Sequence, residues 1–139
     1  MKGLKNEKNT ATISLSALLC ACTTLSRQEE LQLQHLKAQG VTVDKPIGNY
    51  DKPASVAGAA MLNILPGFGN FYLGSGNAAE SSHWLYGFLN LLCWPISIVW
   101  AIPEAAIDAN TINKREMLYY YTYDKYGKEE LKASGVKLD

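Results

Sequence analysis

The chain has 139 residues, with 13 basic and 13 acidic side chains and 47% hydrophobic residues. That length holds at most one modest domain plus extensions. Balanced charge without a basic stripe leaves nucleic-acid binding no electrostatic footprint.

The first eight residues carry Lys2, Lys5 and Lys8 against Glu7, and an apolar run follows from Ala11 to Ala21. Such a run is too short to span a bilayer as a helix, but it suits the apolar region of a signal peptide. It closes on Leu19-Cys20-Ala21-Cys22. This tetrapeptide resembles the lipobox of bacterial lipoproteins, with Leu19 and Ala21 in the positions expected before Cys22. Cys20 fits the pattern less well, because Leu19 would occupy its small-residue position. The resemblance implies removal of residues 1–21, diacylation of the Cys22 sulfur and attachment on the periplasmic side of the envelope. An ordinary signal peptide with two incidental cysteines is the other reading of the same residues. Cleavage and lipidation would leave Cys93 as the one free thiol and exclude an intramolecular disulfide. In Leu91-Leu92-Cys93-Trp94, Cys93 reads as a small buried apolar residue. Removing three lysines and one glutamate would leave ten basic and twelve acidic residues.

Residues 22–52 read as a polar helix and linker. Ser26-Arg27-Gln28-Glu29 has capping-box spacing, Leu25, Leu33 and Leu36 give a thin apolar edge, and Gly40 is a plausible stop. Beyond it Pro46, Gly48 and Pro53 suggest an irregular stalk with a solvated face.

From Pro53 to Asn113 there is no Lys or Arg, and the charges are Glu80, Glu104 and Asp108. So sharp a shift marks a membrane-embedded or deeply buried unit. Its first half, Ala54–Leu65, would reach only ~18 Å as a helix, short of a ~30 Å hydrocarbon core. Its second half, Trp84–Ile102, is uncharged and nominally long enough, but Pro95 in the middle should break or kink it.

Leu65-Pro66-Gly67-Phe68-Gly69-Asn70-Phe71-Tyr72-Leu73-Gly74 lies between the halves. A dinucleotide fingerprint would need a third glycine at Tyr72 and a strand before the loop; a P-loop would need a lysine after the glycines. Neither requirement is met, so no nucleotide site is expected. Pro66, Gly67, Gly69 and Gly74 instead read as a structural turn. The run resembles the two-transmembrane hairpin (TM-two) domain family, whose members join two membrane helices through a turn containing Phe-Tyr-Leu-Gly. The resemblance covers about Gly58 to Asp108 and implies a hydrophobic helical hairpin over residues 53–108, with Gly69 where the family carries a histidine. It brings no secure biochemical activity.

Glu104 and Asp108 are one helical turn apart and are candidate intramembrane acids of an ion or proton path. The simpler reading makes Pro103-Glu104 the first turn of a new helix, with its acids favoured by the dipole. His35 and His83 lack a ligand cluster, and the serines lack a nucleophile elbow, so neither metal, cofactor nor catalysis is expected. Residues 109–139 read as a Tyr-rich helix and polar tail. Tyr119, Tyr120, Tyr123 and Tyr126 are a candidate partner or interface surface, with Tyr120 and Tyr123 on one helical face and Tyr119 with Tyr126 on another.

The sequence therefore predicts a mainly α, lipid-anchored envelope protein with a non-catalytic binding or scaffolding role. Its partners would be membrane lipid, through Cys22 and the hairpin, and an envelope protein. The alternatives are an accessory subunit of a transport or secretion assembly, and a lipid-binding protein. Pro66–His83 carries no positive charge to hold it in the cytoplasm, which favours a shallow hairpin in the inner leaflet of the outer membrane. An inner-membrane hairpin is the alternative placement.

Overall fold

A computed structural model describes residues 23–76 and 80–138, so the signal segment and the expected anchor at Cys22 lie outside the described residues. The protein is mainly α-helical, with α1 (Arg27–Ala38), α2 (Val56–Leu62), α3 (Phe68–Ser75), α4 (Ser82–Leu92), α5 (Ile98–Tyr123) and α6 (Lys125–Ala133). Among the described residues, extended pairing is limited to one bridge between Thr42 and Lys45.

The axis of the fold is α5, and α1, α2, α3 and α6 all pack against it. Its 26 residues span ~39 Å at the usual rise. Two cores sit along it. Around its C-terminal half, Leu36 of α1, Val41, Tyr50 and Leu131 of α6 enclose Met117, Leu118 and Tyr121. Around its N-terminal half, Ala54, Ala59, Leu73, Ala105, Ala109 and Ile112 form a core of mostly small side chains. Alanines at the contact allow α2 and α5 to approach closely, as small residues do between membrane helices.

The capping box at Ser26 is formed: its hydroxyl accepts from the Glu29 N–H, and the Glu29 carboxylate accepts from the Ser26 N–H. The expected stalk is not separate from the body. Val41 and Tyr50 are buried, and the Tyr121 hydroxyl accepts from the Ile47 N–H at 2.7 Å while donating to the Ile47 carbonyl at 2.9 Å. Apolar residues scattered through Val41–Tyr50 make this irregular segment part of the first core.

Asn113 joins the two cores. Its amide accepts from the Ala54 N–H at 2.9 Å and donates to the Ala54 carbonyl at 2.8 Å, closing both backbone groups just before α2. The Tyr50 hydroxyl donates to the Asn113 carbonyl at 2.7 Å. Asn113→Ala strips both partners from a buried peptide group and should cost about 2–4 kcal/mol, read as a lower thermal midpoint in detergent solution.

The glycine stretch differs from the turn expected of it. The chain turns over residues 63–67, and Phe68–Ser75 is helical. Gly67 does have left-handed geometry, with φ of 92°. Gly69 and Gly74 lie inside α3 and serve close packing: a Cβ on Gly69 would run into the Ala59 carbonyl, and one on Gly74 would meet the Trp84 indole at 2.9 Å. A Cβ on Gly67 would also strike the Gly87 carbonyl, whereas Gly135, at φ 78°, faces open space. Gly135→Ala should therefore cost only the backbone penalty of about 1–2 kcal/mol. Gly67→Ala adds a backbone collision, and its unfolding midpoint should fall well below that of Gly135→Ala.

Candidate functional site

The uncharged run Trp84–Ile102 is divided between two helices. α4 ends at Leu92, residues 93–97 turn through a cis Trp94–Pro95 peptide, and α5 starts at Ile98. No helix among the described residues is long and apolar enough to cross a membrane. α4, with 11 residues, reaches ~16 Å.

These pieces converge on one end of the molecule. α3 and α4 are antiparallel neighbours, with Gly67 against Gly87 and Gly74 against His83 and Trp84. The Asn63 amide donates to the Ala101 carbonyl, bringing the residue 63–67 turn beside the start of α5. The surface of this end is apolar. Met61, Leu65, Leu85 and Ile96 are exposed, and Leu92 and Val99 are 81% and 80% exposed. Cys93 is exposed too, contrary to its expected burial: it caps α4 within a run, residues 91–96, that is exposed throughout.

Beside the small-residue core, the interior of the same end holds a group of polar side chains. Asn63, Asn70, His83, Ser97 and Asp108 are fully buried, and Asn90 nearly so. The Asn63 carbonyl oxygen accepts from the N–H groups of Gly67 and Gly69 at 3.0 and 2.9 Å, satisfying donors at the opening of α3. Asn90 accepts from the Trp100 indole at 3.0 Å and donates to Glu104 at 3.3 Å, while its own carbonyl accepts from Ser97. Small apolar and amide side chains are thus inside while most of the large apolar ones are outside. This arrangement suits surroundings in which each backbone group must be satisfied internally.

The two acids do not occupy a first helical turn. α5 starts five residues before Pro103, so Glu104 lies in its second turn and Asp108 near its middle. The uncharged residues 98–102 already form the opening turn, which Pro103 does not interrupt. Burial raises the pKa of Glu104, and it pushes Asp108 up to about 6. Asp108 Oδ1 accepts from the Thr23 N–H at 2.6 Å. Its Oδ2 lies 3.8 Å from His83 Nδ1, beyond hydrogen-bond range, and both atoms are buried without a partner. His83 Nε2 faces the Thr23 hydroxyl at 3.5 Å. Burial lowers the His83 pKa and favours the neutral ring. Both polar atoms of the Asn70 side chain are likewise unpartnered.

Arg115 closes this level of the molecule, pairing with Glu29 of α1 and with Glu80 before α4, and donating to the Thr24 carbonyl. The tyrosines stand further along. Tyr119 and Tyr123 are exposed and their rings lie 5.2 Å apart. Tyr120 instead donates to Glu130 at 2.8 Å. Tyr126 is exposed on α6, because Asp124 ends α5 and caps the next helix, so it does not share a helical face with Tyr119. Tyr119 and Tyr123 thus form a close exposed pair, beside a groove of about 450 Å³ lined in part by Gln28, Gln32 and Arg115.

The sequence reading passed over the asparagines. The available signal was six asparagines between Pro53 and Asn113, of which Asn63, Asn70, Asn90 and Asn113 are buried, in a segment almost free of charge. Among the described residues, no three His, Cys, Asp or Glu side chains converge to hold a metal ion. Compared with known proteins, the chain matches no family model, no curated protein and no solved structure.

Asn63 should be the most sensitive of these positions. Asn63→Ala leaves two N–H groups and one carbonyl of the buried backbone without partners, and should cost about 3 kcal/mol or more. Asn63→Leu should not restore stability in detergent, since volume without hydrogen bonding leaves the same groups unpaired.

Proposed function

We propose that this protein is a cell-envelope lipoprotein with a non-catalytic scaffolding role. Its apolar end enters one leaflet, and its charged helical body presents a surface to an envelope protein. The observation that carries this reading is the run of large exposed apolar side chains at one end, over an interior of small apolar and polar side chains. Each large apolar side chain moved from water into lipid contributes about 1.5–3 kcal/mol.

The dimensions support a shallow hairpin similar to that of the TM-two family, without a full span. From Ile98 to Asp108 is ten residues, or ~15 Å, about half of a ~30 Å hydrocarbon core. Thr23 meets Asp108 at that level, so a chain beginning at lipidated Cys22 would release its acyl chains beside the apolar end. One acyl chain alone holds a protein weakly, and further buried apolar surface makes anchoring durable. The exposed tyrosine pair lies ~30 Å along α5 from its start, too far for an interfacial belt, which supports a protein-facing role.

Two measurements on membrane-extracted protein test this. Mass spectrometry should find an acyl-glyceryl adduct on an N-terminal Cys22, and Cys22→Ser should accumulate as uncleaved precursor. In a Cys93→Ser background, cysteines at the exposed positions Ser75 and Ser81 should react with a periplasm-restricted thiol reagent. Protection until the inner membrane is breached would overturn the shallow hairpin.

A further inference from the structure

We infer that the groove between α2 and α5 binds an anionic glycerophospholipid, with its phosphate among Lys37, Lys52 and Lys114 and its acyl chains along Val56 and Ile107. The inference rests on the leaflet placement of the apolar end and names the lipid class selected there. The groove has a volume of about 830 Å³, within the ~300–1,000 Å³ of small-molecule sites. Asp44 and Asn110 line both this groove and a second hollow of about 360 Å³, which extends it to Lys37 and Lys114.

The lining changes chemistry in one direction. Hydrogen bonds from Asn113 to Ala54 and from Asn63 to Ala101 make α2 and α5 antiparallel, so both walls run between the same two levels. Nearest the apolar end stand Val56 and Ala57 on one wall and Ala106 and Ile107 on the other, with Val56 38% and Ile107 51% exposed. Neutral hydrogen-bonding groups follow, from Asn110, Ser55 and Tyr72. The Ser55 hydroxyl accepts from the Gly58 N–H and the Tyr72 hydroxyl from the Ser55 N–H, each at 3.0 Å, which leaves both O–H groups to donate. The lysines come last. Asp44 is satisfied by Lys52 at 2.7 Å, whereas Lys37 and Lys114 form no ion pair among the described residues, so the uncommitted charge is positive. Apolar wall, neutral donors and cations match, in order, the acyl chains, ester oxygens and phosphate of a glycerophospholipid. The height agrees as well. With α5 in the leaflet as far as Asp108, Asn110 and Lys114 stand ~3 Å and ~9 Å further out. The headgroup layer outside a ~30 Å hydrocarbon core is ~5–8 Å thick on each side.

The test titrates the full chain, extracted in detergent, with phosphatidylglycerol or phosphatidylcholine and counts bound lipid by native mass spectrometry. A lysine near an anionic surface changes affinity about fivefold, so two uncommitted lysines should favour phosphatidylglycerol by at least about tenfold, as one molecule per chain. Lys37→Gln with Lys114→Gln should abolish that preference. Lys128→Gln with Lys132→Gln removes the same charge from exposed positions on α6 and should keep it. Ala57→Trp leaves every charge in place, fills the apolar part of the groove from an exposed position, and should lose the bound lipid. Where a variant's helical circular dichroism departs from the wild type, the wild-type preference decides alone. Equal retention of the two lipids overturns the inference, and so does equal loss in both lysine pairs, which is the mark of general surface charge. Displacement of the lipid by inorganic phosphate at matched ionic strength makes the ligand a soluble anion and overturns the lipid assignment. Flotation with phosphatidylcholine vesicles checks the leaflet reading separately. A protein that floats without preferring phosphatidylglycerol overturns the groove alone, and one that fails to float overturns the leaflet placement.

Discussion

The apolar end depends on one constraint: backbone groups under an apolar skin must find partners within the protein. Asn63 meets most of it. Three backbone groups from three places converge on one side-chain amide, those of Gly67, Gly69 and Ala101. With these partners satisfied, the residue 63–67 turn can place exposed Ile64 and Leu65 beside Met61 and Leu62 at the end of α2. Asn90 performs the corresponding task where α4 gives way to α5, binding Trp100 and Glu104 through its side chain and Ser97 through its carbonyl. An amide both donates and accepts without carrying charge. It can therefore hold a low-dielectric junction without the desolvation cost of an ion.

Along α5 the molecule changes character in tiers. The first turns carry lipid-like surface, the middle carries the buried Asp108, Arg115 gathers two carboxylates, and the last turns belong to a conventional apolar core. One continuous helix holds these tiers at fixed spacing. The depth of the apolar end, the height at which Thr23 leaves and the position of the tyrosine pair are therefore set together.

Much of this was legible in the sequence, for identifiable reasons. Helical class followed from composition and capping signals, and Ser26 and Glu29 form the box their spacing implies. The limits came where one residue type serves two physical ends. Glycine in a Phe-rich stretch reads as a turn, yet Gly69 and Gly74 are needed because Ala59 and Trp84 press against α3. Pro103 reads as a helix start, yet α5 carries it in its second turn. Cys93 sits in an apolar run that local pattern alone assigns to the interior, while residues 91–96 are exposed throughout. Asn70, His83 and Asp108 share an interior only after α3, α4 and α5 have packed, and no sequence spacing announces that.

The length of α5 has a mechanical consequence. In a leaflet-inserted protein it would act as a lever about the level of Asp108, with its short arm in the apolar end and its long arm reaching Tyr123. Membrane proteins relieve a mismatch between apolar length and bilayer thickness partly by tilting. Tyr119 stands eleven residues, or ~16 Å, beyond the pivot, so a 10° tilt would sweep it through ~3 Å. In a leaflet-inserted protein, the tyrosine pair would thus act as a pointer to the thickness of the lipid around the other end.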